Sequence, residues 1–151
     1  MSLNTTAITN KLVSFSLKTG LFETVNMHEP KKSPGNGLTC ALWAQSVGPA
    51  KGASGVSATT ALLVMNQRLF SPMLQEPQDS IDPSILDAVD TLFTSYSGDF
   101  DLGGDVRNID LLGQFSSGLA AQAGYINVSG INYRVMTITL PLVINDAWSQ
   151  A

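Results

Sequence analysis

Apolar residues are densest at 131–144, INYRVMTITLPLVI. The segment exceeds the usual five or six residues of a strand and is rich in β-branched types. One alternating set is Ile131, Tyr133, Val135, Thr137, Thr139, Pro141 and Val143; the other is Asn132, Arg134, Met136, Ile138, Leu140, Leu142 and Ile144. From Val135 onward neither set suits water, so both faces of this strand need cover. The run 58–70 repeats the problem, being apolar on both faces at Ala61, Leu62, Leu63, Val64 and Met65.

Helical periodicity occurs in two places. In 5–19, Ile8, Leu12 and Phe15 share a stripe flanked by Val13 and Leu17, with Asn4 or Thr5 to cap and Gly20 to stop it. In 82–98, Ile85, Leu86, Val89, Leu92, Phe93 and Tyr96 form the stripe; Asp82 is placed as the cap, Pro83 as the first helical residue and Gly98 as the end. Further strands are predicted at 21–28, 38–47, 105–111 and 120–128. In 38–47, Cys40, Leu42 and Ala44 line one face, and Ala41 and Trp43 the other. Ser129-Gly130 supplies a two-residue hairpin turn that sets Ile126 opposite Tyr133 and Tyr125 opposite Arg134. Gly/Pro-rich loops fill 30–37 and 48–55, and another loop spans 71–81. The pattern predicts one α+β domain over 1–151, in the order α-β-β-β-α-β-β-β. Its sheet is mixed or antiparallel, with both helices on one face.

Composition bears on how the second face is covered. Charged residues make up only 13% of the 151 positions, well under the ordinary quarter. Two helices cover one face of such a sheet, so either the sheet curls over itself or other copies cover it. Net charge is −4, which gives no ground for wholesale nucleic-acid binding. The charge is also sorted along the chain. Residues 1–71 hold six Lys/Arg and two Glu, a balance of +4; residues 72–151 hold two Arg, nine Asp and one Glu, a balance of −8. A basic half of one copy could meet an acidic half of another. A lone Cys40 offers neither a disulfide nor a cysteine metal site. Without a signal-peptide pattern or an apolar run of ~18 residues, the chain is expected in a reducing cytoplasm, with no membrane.

Candidate chemistry is sparse. His28 is the only histidine, and nothing around it, Cys40 or the serines resembles a nucleophile elbow. No phosphate-binding glycine loop is present, and no cofactor is expected. In the segment DFDLGGDVRNID at 99–110, Asp99, Asp101, Gly104 and Asp110 match positions one, three, six and twelve of a calcium loop. Gly103 stands where a ligand is needed, Asp110 is shorter than the usual Glu, and no helix pattern follows. A Gly-Gly turn with solvated acids accounts for the segment better. Lys31, Lys32 and Lys51 lie in the two Gly/Pro-rich loops without interleaved aromatics, a weak nucleic-acid patch. Met73 and Leu74 stand out as apolar residues in a loop, and Trp148 is a core cap or an interface anchor.

Three stretches carry a family likeness: GLFETVNMHEP at 20–30, SPMLQEP at 71–77 and YRVMTITLPLVINDAW at 133–148. They resemble tail terminator proteins of long flexible-tailed bacteriophages of the siphovirus type, particularly those infecting actinobacteria. The likeness extends from the first helix to Trp148 and rests on overall similarity and element order, since that family has no catalytic signature. It implies a small α+β subunit that forms a hexameric ring, caps the tail tube protein, stops its polymerisation and presents a surface to the head-tail connector protein. Viral DNA passes through the lumen without sequence-specific binding. It implies a virion location in the tail or neck, with assembly in the host cytoplasm, and no enzymatic activity. By analogy, contacts fall at Lys31, Lys32, Lys51, Met73, Leu74, Gln75, Glu76, Tyr133, Val135 and Trp148. Other readings stay open: a head-tail connector or tube subunit, a small-ligand-binding β-barrel, or a hydrolase using His28. The covering requirement itself predicts Met136, Ile138, Leu140 and Leu142 against the helices, and Tyr133, Val135 and Thr137 against a neighbouring subunit.

Overall fold

The computed structural model describes residues 5–22, 24–27, 38–50, 58–72, 81–104, 106–114, 116–128 and 130–149. Its elements run α1 (Thr5–Lys18), β1 (Thr24–Asn26), β2 (Thr39–Pro49), β3 (Ala58–Pro72), α2 (Ile81–Gly98), β4 (Asn108–Ile109), β5 (Ala120–Val128) and β6 (Ile131–Ser149), with a 3-10 turn at Leu102–Gly104. This is the α+β class and the order expected from the sequence. Among the described residues one six-stranded sheet holds the strands in the order β1-β2-β3-β6-β4, and β5 also pairs with β6. The β1–β2 pair is parallel and every other pair antiparallel. The hairpin register is the expected one, Ile126 opposite Tyr133 and Tyr125 opposite Arg134.

The long strand reaches nineteen residues, beyond the predicted end at Ile144. It is the axis of the sheet, with β3 along one side and β5 and then β4 along the other. The predicted strand 105–111 shrinks to two residues, Asn108 and Ile109. Ahead of them the Leu102–Gly104 turn takes up the chain, and Leu102 sits buried in the left-handed region at φ 50°. Its leucine is drawn into the core at the cost of an unfavourable backbone.

Both helices pack on one face. The α1 stripe buries Ile8, Leu12 and Phe15 as the periodicity requires, while Leu17 stays exposed. In α2 the buried set is Ile81, Ile85, Ala88, Val89, Leu92 and Tyr96; Leu86 points outward and Ala88 takes the inner place. Met136, Ile138, Leu140 and Leu142 of β6 join Leu42, Met65 and Leu69 beneath these helices. The α1 end is closed by Gly20, at φ 68°, whose N–H donates to the Leu17 carbonyl at 3.1 Å.

Candidate functional site

The face of the sheet away from the helices is the candidate surface. Alternation along the strands sends Ala41, Trp43, Phe70, Tyr133, Val135, Ile126 and Val128 to this side. Ala41, Phe70, Val128, Tyr133 and Val135 form a second, smaller buried cluster, with Trp43 and Ile126 half-buried at its rim. Phe70 and Tyr133 meet edge to face at 6.1 Å between ring centroids, the geometry aromatic quadrupoles favour. Tyr133 is 1% exposed and Val135 5%. The chain itself therefore encloses the two side chains expected to meet a neighbour, and a neighbour would touch the rim around them.

Beyond the cluster the face turns polar. Arg68 holds its guanidinium over the Trp43 ring at 5.2 Å and donates from Nε to Thr137 Oγ1 at 2.9 Å. Beside it lies an open groove of about 320 Å³, bounded by Arg68, Gln122, Ile126, Val135 and Thr137. Gly124 lies directly across from Val135. With no side chain between Gln122 and Ile126, it leaves the groove open. The site offers an apolar shelf with one cation and several hydroxyl or amide groups, a set suited to contact.

At the hairpin margin Arg134 clasps α2. Its Nε donates to Asp82 Oδ1 at 2.9 Å and its guanidinium lies 4.5 Å from the Tyr125 ring centroid. The hydrogen bond to Asp82 raises the Arg134 pKa above its ordinary value. Asp82 thus serves the hairpin as well as the first turn of α2.

The chemistry-bearing groups considered from the sequence are placed as follows. His28, Lys31, Lys32, Lys51, Met73, Leu74, Gln75 and Glu76 lie outside the described residues. Trp148 is half-buried and packs on the helix-side core. Asp99 accepts from the Gly103 N–H at 3.0 Å. Asp110 is buried and accepts from the Gln114 N–H at 2.7 Å and Ser116 Oγ at 2.8 Å. These two carboxylates hold separate turns, and among the described residues no cluster of three or more His, Cys, Asp or Glu side chains is placed to hold a metal. The loop that Asp110 braces carries Leu112, 99% exposed, next to half-exposed Phe100.

A buried polar network went unread in the sequence. Gln67 Nε2 donates to Ser16 Oγ at 2.6 Å and to Cys40 Sγ at 3.1 Å, and Tyr96 Oη donates to Gln67 Oε1. Ser16 Oγ in turn donates to the Leu12 carbonyl at 3.0 Å. One residue each from α1, β2, β3 and α2 meet at this point. Burial pushes the Cys40 thiol up to about 11 and the Tyr96 phenol higher still, so both stay neutral. A thiol so held is a poor nucleophile. One signal was available: Gln67 interrupts the inward set Leu63, Met65, Leu69 of β3, and Ser16 adjoins the α1 stripe.

No family model matches this chain, and no curated protein matches it. Among solved structures it is similar to the sheath/tube terminator of an extracellular contractile injection system, PVC, in the extended state. Identity is 9% and the TM-score 0.46; the match covers 99% of this chain and 59% of that one. This chain thus spans less than two thirds of the terminator's length. No described helix is long and apolar enough to cross a membrane.

Proposed function

We propose that this chain is a tail terminator of a long flexible-tailed phage. In this reading, copies close into a hexameric ring on the end of the tail tube, stop its growth and offer the outer surface to the head-tail connector. DNA passes through the lumen, and the subunit is structural and not catalytic. The reading is carried by the likeness of 20–30, 71–77 and 133–148 to that family in a chain with its element order. It is supported by the sheet's uneven cover: helices on one face, and on the other a small apolar cluster beside an open groove. A surface of that kind is suited to further protein contact. The injection-system terminator bears a title of the same kind, but at 9% identity and a TM-score of 0.46 it lends the reading no weight.

The direct test adds the purified chain to polymerising tube protein from the same particle. Tubes should stop growing and carry extra density at one end. Tubes that lengthen undisturbed would exclude the role, and density without arrest would point to a connector instead.

A further inference from the structure

Single apolar side chains in water are common on protein surfaces and ordinarily carry no message. Leu112 differs in what surrounds it. It is 99% exposed, and with half-exposed Phe100 it borders a hollow of about 490 Å³ that Ile109 and Leu111 also line. A leucine beside such a hollow gains by folding into it. This one is held out. The turn behind it is braced over residues 110–114 and 116–119. Buried Asp110 accepts from the Gln114 N–H at 2.7 Å and from Ser116 Oγ at 2.8 Å, and the Leu119 N–H closes the base on the Leu111 carbonyl at 3.2 Å. Gly113 and Gly118 take left-handed φ values of 84° and 89°, and a Cβ on them would come within 2.9 Å and 3.0 Å of backbone atoms. Only glycine fits there. Knob and hollow are thus kept side by side.

The backbone beneath is closed to an added strand. The Ile109 N–H donates to the Phe100 carbonyl at 2.6 Å, and the Ile109 carbonyl accepts from the Leu111 N–H at 2.8 Å and from Asn108 Nδ2 at 3.0 Å. With these groups taken, contact here is through side chains. Size then decides the kind of partner. Leu112 and the exposed half of Phe100 offer on the order of 300 Å², against roughly 800 Å² per side in a stable one-to-one complex. Such a patch does not hold a single partner, or a single other copy, by itself. It suits a surface that repeats one socket, where several copies seat together and their weak contacts multiply.

We infer that Leu112 is the anchor by which this chain seats on the end of a repeating protein tube, entering an apolar socket on each tube subunit while a tube side chain fills the hollow. The tube as partner rests on the terminator role proposed above.

The test is co-sedimentation of the full chain with assembled tubes of the tube protein from the same particle, joined to side-chain oxidation footprinting. Wild type should pellet with the tubes, and Leu112 and Phe100 should oxidise several-fold more slowly there than in the free chain. Leu112→Asp should weaken pelleting at least about tenfold while keeping the wild-type unfolding midpoint. Leu112→Met should pellet like wild type. So should Leu86→Asp, the same change on the exposed side of α2. If Leu112→Asp misfolds, the wild-type footprint alone decides. A folded Leu112→Asp that pellets like wild type overturns the proposal, as does a Leu86→Asp that fails equally. Leu112 as reactive on tubes as off them overturns it too. Protection of Leu112 in the concentrated free chain would assign the anchor to other copies and overturn it as well. Wild type that ignores tubes removes the terminator role and this anchor together, whereas arrest of tube growth that survives Leu112→Asp removes the anchor alone.

Discussion

The two faces of the sheet are made by the same strands, yet they are finished to different degrees. Under the helices, Met136, Ile138, Leu140 and Leu142 meet Ile8 and Leu12 of α1 and Ile85 and Leu92 of α2, and the polar groups within that layer answer one another. On the other face Tyr133 and Val135 are enclosed by Phe70, Ala41 and Val128, while Trp43 and Ile126 stay half-buried and the groove beside Arg68 is open. Strand propensity alone does not decide burial. Helices seal one face, whereas the other is sheltered only where large side chains lie against one another.

Substitutions can break this contrast, the largest effect coming first. Leu140→Ala on the helix side should cost about 3 kcal/mol, since the cavity has rigid walls on both sides. Urea unfolding with an unchanged slope measures it. A loss below about 1 kcal/mol would mean that the helices are loosely seated.

Next comes pH. Folding raises the Cys40 thiol from its ordinary 9.0 to about 11, so the folded chain holds that proton more tightly. Stability is full below pH 9 and falls as pH climbs from about 9 to about 11, by roughly 2–3 kcal/mol. Tyr96, raised from 10.0 for the same reason of burial, deepens the loss above pH 10. Cys40→Ser keeps an acceptor for Gln67 and should flatten the decline between pH 9 and 10. An equally steep decline in the variant would place the effect elsewhere.

Gln67→Leu strips the Tyr96 hydroxyl of its acceptor and should cost about 2 kcal/mol. Combining it with Tyr96→Phe should cost less than the two separate losses added, because the pair acts as a unit. Simple additivity in that cycle would argue that the network is not coupled. On the open face Arg68→Ala removes the half-exposed stack on Trp43 and the hydrogen bond to Thr137, and about 1 kcal/mol is expected. A loss as large as that of Leu140→Ala would erase the distinction between the faces.

Much of the fold could be read from the chain because periodicity and turn chemistry agreed. The α1 stripe, the Gly98 end of α2, the hairpin register and the helix-facing set of β6 all follow from spacing and punctuation, whereas α2 starts at Ile81 and takes Asp82, the expected cap, into its first turn. Leu86 was misplaced because two adjacent leucine-like positions fit one stripe, and only packing decides that Ala88 turns inward. The strand at 105–111 is overextended in that reading because Val106 and Ile109 look like strand residues, whereas the turn at Leu102–Gly104 leaves only Asn108 and Ile109 in the ladder. The four-residue polar network comes from four elements, so no local pattern could assemble it. Tyr133 and Val135 show the main lesson. Alternation told which face they occupy, but not that Phe70 and Val128 of the same chain would enclose them. Of the expected contact residues, most fall in segments outside the described ones.

The most direct measurement is tail length, by electron microscopy, in particles assembled without this chain. The account predicts tails of uncontrolled length that fail to join heads, with restoration when the chain is supplied. Tails of normal length that merely stay unjoined would contradict it.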